Sequence, residues 1–344
     1  MSDDRLARYD YALGPESIAQ RPLPRRADAR LLCWERDGSF TDRRIGDLPG
    51  RLRPRDLVIL NDSRVLPARL FGRGAGGSKL EILLLRPADP EPGWWALCKP
   101  GRKMQPGSEF LVEGGSRIRV VAKREDGARR VERVGDGSFE QLASEFGHMP
   151  LPPYIRRPDE ESDRERYQTV YAEHLGSVAA PTAGLHVDEE LLVAIRERGA
   201  TVQTVTLHVG LDTFRPLEEA QLASGRLHGE RFRVAVAAMQ ALSTARATGG
   251  RIIAWGSTTC RVLESLPDRL PEAMEGETTL FIRPGHPFRF VDVLVTNFHL
   301  PRSSLLMMVD AFAGDRWRSA YEHALTAGYR FYSYGDANWI EGSP

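Results

Sequence analysis

Residues 56–70 read DLVILNDSRVLPARL. Leu57, Val58, Ile59 and Leu60 form a short continuous apolar run, the pattern of a strand buried on both faces. The run stops at four polar residues, Asn61, Asp62, Ser63 and Arg64, and the chain then enters ARLFGR, a segment of different character. From roughly Arg64 to Pro153 the sequence continues with KLEILLLR, WWALCKP, SEFLV, RIRVVAKR and ARRVERV, punctuated by GAGGS, PADPEPG, GRKMQPG, EGGS and EDG. Roughly six short strands at this spacing predict a small antiparallel barrel or sandwich. A proline-rich exit, MPLPPYIRRPDEESDRERYQ, leads out of it, and its mixed charges read as a solvated surface.

Beyond Val187 strands alternate with helices. DEELLVAIRERG carries an Asp188 cap, apolar residues at Leu191, Leu192 and Ile195, and a stop at Gly199. TVQTVTLHV, AVAAMQALSTARATGG, RIIAW, GSTTCRVLES, FVDVLVTNF and SSLLMMVDAFAG continue the alternation. This is the order of a sheet covered by helices. The expected fold class is an α/β main domain, residues 1–65 and 154–344, with an inserted small antiparallel β-barrel domain of six strands, residues 66–153.

The whole chain is compatible with two such units. It has 344 residues, 41% of them hydrophobic and 27% charged, the balance of an ordinary soluble globular protein. Basic and acidic residues number 47 each, so net charge gives no hint of nucleic acid. Cys33, Cys98 and Cys260 are too scattered for a disulfide framework or a structural zinc site. The N-terminus lacks an apolar signal core and no apolar run reaches membrane-spanning length, which predicts a cytoplasmic protein with no membrane partner.

Sites in open α/β sheets form where strands end and helices begin, and four turns fit that position. At Asn61–Arg64 an Asx turn accounts for Asn61 and Asp62 but less well for Arg64. At GSTT, Gly256 permits a tight turn and Thr258 and Thr259 fall at a helix N-terminus, where free N–H groups attract anions, although plain capping needs only one hydroxyl. VTNFHLPRSS crowds Asn297, His299, Arg302 and Ser303 between an apolar strand and an apolar helix, a costly density of polar groups unless they bind something. TVTLHVGLDTFRPL places Thr206 and His208 on the face opposite Val205 and Leu207, with Asp212 and Arg215 in the loop that follows.

Three histidines, His186, His208 and His299, each sit between apolar neighbours, which predicts segments entering one site. The nearest pair, His186 and His208, is 22 residues apart, so the short spacing of catalytic zinc ligands is missing and no metal is expected. No dinucleotide fingerprint, phosphate loop or nucleophile elbow is present, so dehydrogenase, kinase and α/β-hydrolase readings lack support.

The longer phrases carry a family resemblance. DYALGPESIAQRPLPRRADARLL, LNDSRVLPARLFG, YQTVYAEHLGSVAAPTAGLHVDEELL, TLHVGLDTFRPL, TTLFIRPGHPFRFVDVLVTNFHLPRSSLLMMVDAFAG and AYEHALTAGYRFYSYGDANWI run in order from Asp10 to Ile340. In these the chain resembles the S-adenosylmethionine:tRNA ribosyltransferase-isomerases of queuosine biosynthesis. The resemblance implies an α/β domain with a barrel insert. It also implies transfer and isomerisation of the ribosyl part of S-adenosylmethionine onto 7-aminomethyl-7-deazaguanine at the tRNA wobble position, giving epoxyqueuosine with loss of adenine and methionine. S-adenosylmethionine is then a consumed substrate, no cofactor is needed, and the partner is tRNA carrying that base. The protein is expected to act as a monomer.

Such chemistry needs a base for the proton beside the sulfonium and assistance for the departing adenine; histidines with pKa near neutrality suit both. His299, His186 and His208, in that order, are the catalytic candidates. Asp62 or Asp212 would orient a histidine or hold the amine, and Arg64, Arg215 or Arg302 would take a carboxylate or an RNA phosphate. SVAAPTAGLH, with Thr182 in it, would be a close-fitting wall ending at His186. Asp212 stands where the family usually has a small residue. Two rival readings are a relative acting on another acceptor and a non-catalytic RNA-binding protein using the barrel as a reader. Stacking aromatics on that barrel would mark the latter, and alternation buries at least one of Trp94 and Trp95.

Overall fold

Alternation along the central apolar run sets the layers. In the computed structural model, which describes residues 4–74, 77–210 and 217–342, every residue of Leu57–Asn61 is buried. Leu57 and Ile59 face one hydrophobic core and Val58 and Leu60 the other. A strand with both faces covered has no polar face, hence the unbroken run.

The strands are, before the barrel, β1 (Arg30–Trp34), β2 (Phe40–Arg44), β3 (Leu57–Asn61) and β4 (Ser63–Val65). The barrel strands are β5 (Arg69–Arg73), β6 (Lys79–Pro87), β7 (Trp94–Lys99), β8 (Glu109–Val112), β9 (Arg117–Lys123) and β10 (Arg129–Val134). After it come β11 (His174–Ser177), β12 (Thr201–Leu207), β13 (Arg226–Val234), β14 (Ile252–Trp255), β15 (Met274–Leu280), β16 (Val293–Asn297) and β17 (Ala337–Glu341). The main sheet has nine strands in the order β15-β13-β12-β3-β14-β16-β17-β1-β2. Its centre, β12-β3-β14-β16, is parallel throughout, so the C-terminal ends of these strands share one edge. The helices Val236–Thr248 and Ser257–Ser265 pack into one core through residues such as Leu242 and Leu263, and Glu189–Glu197 packs into the other through Leu191, Leu192 and Ile195.

The barrel closes in the order β10-β7-β6-β5-β8-β9. Period-two alternation fills it, with Ile82 and Leu84, Ala96 and Cys98, and Ile118 and Val120 pointing inward. Phe139, Leu142 and Ala143 of the helix Phe139–Phe146 complete that core. Thus an α/β domain carries an inserted antiparallel barrel, the fold class anticipated from the turn at Asn61. Among the described residues no helix is long and apolar enough to cross a membrane.

The charged exit from the barrel differs from the expected solvated stretch. Arg157 makes a double hydrogen bond to the buried Asp163, at 2.6 and 2.8 Å, and Tyr334 Oη donates to the same carboxylate at 2.8 Å. Arg166 donates to the carbonyls of Leu23 and Pro24, and Arg164 to that of Gly147. Guanidinium groups reach several carbonyls or carboxylates at once, so an arginine-rich run fastens a linker that has few apolar residues. Asp163→Ala, which strands Arg157 and Tyr334 in a buried site, is expected to cost about 3–5 kcal/mol of stability. Asp163→Asn should cost less. Urea unfolding of both variants measures this, and a loss below about 1 kcal/mol for the alanine variant would contradict the clasp.

Candidate active site

Asn61 ends β3 two residues before its neighbour β12 stops, and its side chain continues the ladder. Asn61 Oδ1 accepts from Leu207 N and Ser63 N, each at 3.1 Å, while Nδ2 donates to Leu207 O at 3.1 Å and Thr258 Oγ1 at 3.2 Å. All four hydrogen-bonding positions of the amide are filled within a fully buried site. Thr258 is thereby held at the start of the helix Ser257–Ser265, whose N-cap position is Gly256 at φ 101°. A left-handed φ is open to glycine at little cost.

Around Thr258 lies a chamber walled by Ala180, Pro181, Thr182 and Ala183, by Thr296, Asn297 and His299, by Ser303, and by Tyr154, Tyr332 and Ser333. The small-residue tract is fastened to β14 by Trp255 Nε1, which donates to Ala183 O at 2.7 Å. A methyl group at Gly184 would come within 2.2 Å of Tyr171 Oη. Small side chains therefore serve the packing behind the wall as well as the space in front of it.

His299 is bonded to Thr296 Oγ1 through Nε2 at 2.9 Å, and burial lowers its pKa to about 3. His186 stands behind Asn297, its Nε2 at 3.1 Å from Asn297 Oδ1, and burial lowers its pKa to about 4 against the opposing effect of that bond. Asn297 Nδ2 in turn donates to Tyr332 O at 2.7 Å. Tyr332 has φ 71°, an uncommon conformation for a bulky residue, and its ring stacks on Tyr154 with centroids 4.4 Å apart. Strain of this kind persists where surrounding contacts over-determine it, and it gathers at functional sites.

The structure brings Thr182, Thr258, Asn297, His299 and Ser303 onto one chamber, with His186 and Asn61 supporting it from behind. Ser303 caps the helix Ser304–Ala313, accepting from Leu306 N at 3.2 Å, and Thr259 Oγ1 donates to Trp255 O at 2.9 Å. His208 lies elsewhere, in a groove between β13 and the barrel that Leu85, Trp94, Trp95 and Arg124 also line. Its pKa is lowered by burial and by His174. Asp62 accepts from Thr206 Oγ1 at 2.6 Å, and its other oxygen is 4.0 Å from His174 Nε2. With Glu173 these two form the one grouping of metal-ligating type among the described residues. Arg64 and Arg302 are exposed, Arg302 lying 4.0 Å from Asp10. Asp212 and Arg215 lie outside the described residues.

Two points depart from the sequence reading. The histidines of the chamber do not titrate near neutrality, because burial penalises the imidazolium; they are neutral bases at pH 7. Tyr154, Tyr332 and Ser333 were not anticipated. Tyr154 Oη and Ser333 Oγ are 2.5 Å apart across a sequence separation of 179, so no local pattern reports them.

Known proteins resemble the chain over nearly its whole length. The family described as queuosine biosynthesis protein matches residues 6–340. A protein of Rhodospirillum rubrum named S-adenosylmethionine:tRNA ribosyltransferase-isomerase is 46% identical over 342 residues, 98% of each chain. One of the same name from Acidithiobacillus ferrooxidans is 47% identical over 335 residues, 96% of each. The crystal structure of S-adenosylmethionine tRNA ribosyltransferase from Thermotoga maritima superposes with a TM-score of 0.56 at 34% identity, covering 97% of this chain and 99% of that one.

The low histidine pKa values fix a pH dependence. Below pH 6.5 an unfolded chain protonates these imidazoles and the folded one does not, so stability falls as pH drops from about 6.5 toward about 4 for His186. Each such group steepens the loss by up to about 1.4 kcal/mol per pH unit. His186→Gln, which keeps a partner for Asn297, is expected to show a smaller fall in Tm between pH 7.5 and pH 5 than the parent. An equal fall would remove His186 as its source.

Proposed function

The chain belongs to the queuosine biosynthesis protein family, and from that premise we propose that it is an S-adenosylmethionine:tRNA ribosyltransferase-isomerase. It transfers and isomerises the ribosyl moiety of S-adenosylmethionine onto 7-aminomethyl-7-deazaguanine at the tRNA wobble position, releasing adenine and methionine and leaving epoxyqueuosine. The observation that carries this reading onto the fold is the chamber at the C-terminal edge of β14 and β16. There a neutral, buried His299 faces the same space as Thr182, Thr258 and the Tyr154–Tyr332 ring pair.

Each demand of the reaction has a group to meet it. A base that abstracts the proton next to the sulfonium has to be unprotonated at physiological pH, and burial of His299 secures that. Thr296 Oγ1 fixes the orientation of the ring. Thr258 and Thr182 offer hydroxyls to ribose oxygens as the ring rearranges, and the stacked tyrosines give the adenine an aromatic wall. His186 acts through Asn297, holding the amide whose other end steadies Tyr332. S-adenosylmethionine enters as a substrate, so the reading requires no resident cofactor, and it carries with it a cytoplasmic, monomeric enzyme.

The purely RNA-binding alternative has less to stand on. Trp94 is buried in the barrel core, and Arg124 lies over the ring of Trp95 at 5.1 Å. The test is adenine release from S-adenosylmethionine with and without tRNA bearing the 7-aminomethyl-7-deazaguanine base. Release that depends on this tRNA, with a matching mass gain on the RNA, is expected. His299→Ala should lower that turnover by about 10²- to 10⁴-fold, and a change within about twofold would remove His299 as the base. Adenine release without RNA modification would point to another acceptor.

A further inference from the structure

The chamber does not end at Thr258. Ser257, Thr258 and Leu305 form a shared wall, and beyond it the space continues to Gly210, Glu230 and Arg261. Two independent features meet there. The helix Ser257–Ser265 begins without any side-chain cap, since its N-cap residue is Gly256. First-turn N–H groups lack intrahelical acceptors and carry the positive end of the helix dipole. One turn along, on the same face as Ser257, stands Arg261, whose side chain is only 6% exposed.

Arg261 is partly used. Its Nε donates to Leu280 O at 3.1 Å and its Nη1 pairs with Glu230 Oε2. Nη2 is buried and has no hydrogen-bond partner among the described residues. A guanidinium nitrogen left unpaired in a buried place is costly unless an acceptor arrives. Glu230 Oε1 accepts from Gly210 N at 3.0 Å.

We propose that Arg261 and Glu230 seat the amino-acid end of S-adenosylmethionine. The α-carboxylate accepts from Arg261 Nη2 and from the first turn of the helix, and the α-ammonium donates to Glu230. A buried Arg–Glu pair at the end of a cavity presents one donor and one acceptor group, which suits a zwitterion. A phosphate would meet repulsion from Glu230. The ribose then falls beside Thr258, which borders both spaces, and the reacting carbon enters the His299 chamber. This inference rests on the ribosyltransferase reading and assigns residues that the crowded turns of the sequence did not single out.

The test varies the ligand first, which leaves the protein intact. The wild-type enzyme is assayed for adenine release with S-adenosylmethionine and with its decarboxylated analogue, in the presence of the acceptor tRNA. The decarboxylated analogue is expected to lose about 10- to 100-fold in kcat/KM. Arg261→Gln should bring S-adenosylmethionine down toward the analogue's level, lower the analogue's own value by a smaller factor, and leave the KM for tRNA unchanged. Equal use of both compounds by the wild type, or an equal loss on both in Arg261→Gln, would overturn the proposal. Equilibrium dialysis of S-adenosylmethionine without tRNA separates this outcome from failure of the reaction itself. Binding that the decarboxylated analogue does not displace upholds the seat even if no ribosyl transfer occurs, and displacement by the analogue at equal concentration overturns it.

Discussion

A single buried amide holds the working edge of the sheet together. β12 outruns β3 by two residues, so Leu207 has no backbone neighbour on that side. The Asn61 side chain supplies the missing donor and acceptor and then reaches across to Thr258 on the far side of β3. Leucine could fill the volume, but it would orphan the N–H and carbonyl of Leu207, each a group that is costly to bury unpaired. Shortening or lengthening the side chain would misplace the bonds. Of the natural side chains only asparagine combines donor and acceptor at this reach, so the position is fixed by hydrogen bonding before any substrate is considered.

From that amide the rest of the site follows. Holding the ends of β3 and β12 level with the helix at Gly256 brings the carboxyl ends of β14 and β16 onto the same rim. Asn297 repeats the device at the end of β16, spanning His186 on one side and Tyr332 O on the other. Asn61 lies behind the reacting space and Asn297 in its wall, and together they determine what faces it. The same burial that makes the amides necessary pushes His186 and His299 toward the neutral form. Rigid positioning and the neutral state of the two imidazoles thus come from one physical cause, exclusion of water from the strand ends.

Much of the fold was legible in the residues. The apolar run at Leu57–Leu60, the glycine-punctuated strands of the barrel and the helix at Glu189–Glu197 all declare themselves by local period and capping. β13 and β15 are less legible: β13 alternates only in its second half, with Glu230, Phe232 and Val234 buried and Arg231 and Arg233 exposed, and the edge strand β15 buries Thr278 alone. Turn chemistry was legible as a location and not as a role. Thr259 bonds the preceding turn, Ser303 caps a helix while also bordering the chamber, and Thr258 faces the chamber. The tyrosine pair and the Arg261–Glu230 pair join segments distant in sequence, and pairings of that kind leave no signature in a window of ten residues. The single chain signal for Arg261 was its spacing, four residues after Ser257 on one helical face.

The insertion of the barrel is itself part of the site's construction. The chain leaves β3 at Asn61, passes through β4 into the barrel, and returns through β11, which pairs in parallel with β4. Ser177, at the end of β11, accepts from Leu66 N through its carbonyl and from Val209 N through its hydroxyl. Val178 N then donates to Val209 O, and the small-residue wall begins at once. Outgoing strand, returning strand and the exit of β12 are therefore tied at one buried serine. Gly176 adds a steric constraint, since a methyl group there would meet the His208 ring at 2.7 Å. His208 faces the groove beside the barrel while Val209, the next residue, lines the His299 chamber. A displacement of the barrel would have to pull on Ser177 and so on the wall of the chamber. Inserting the second domain at the end of a central strand, and not at a distant loop, makes the two units mechanically continuous through the residues that border the chemistry.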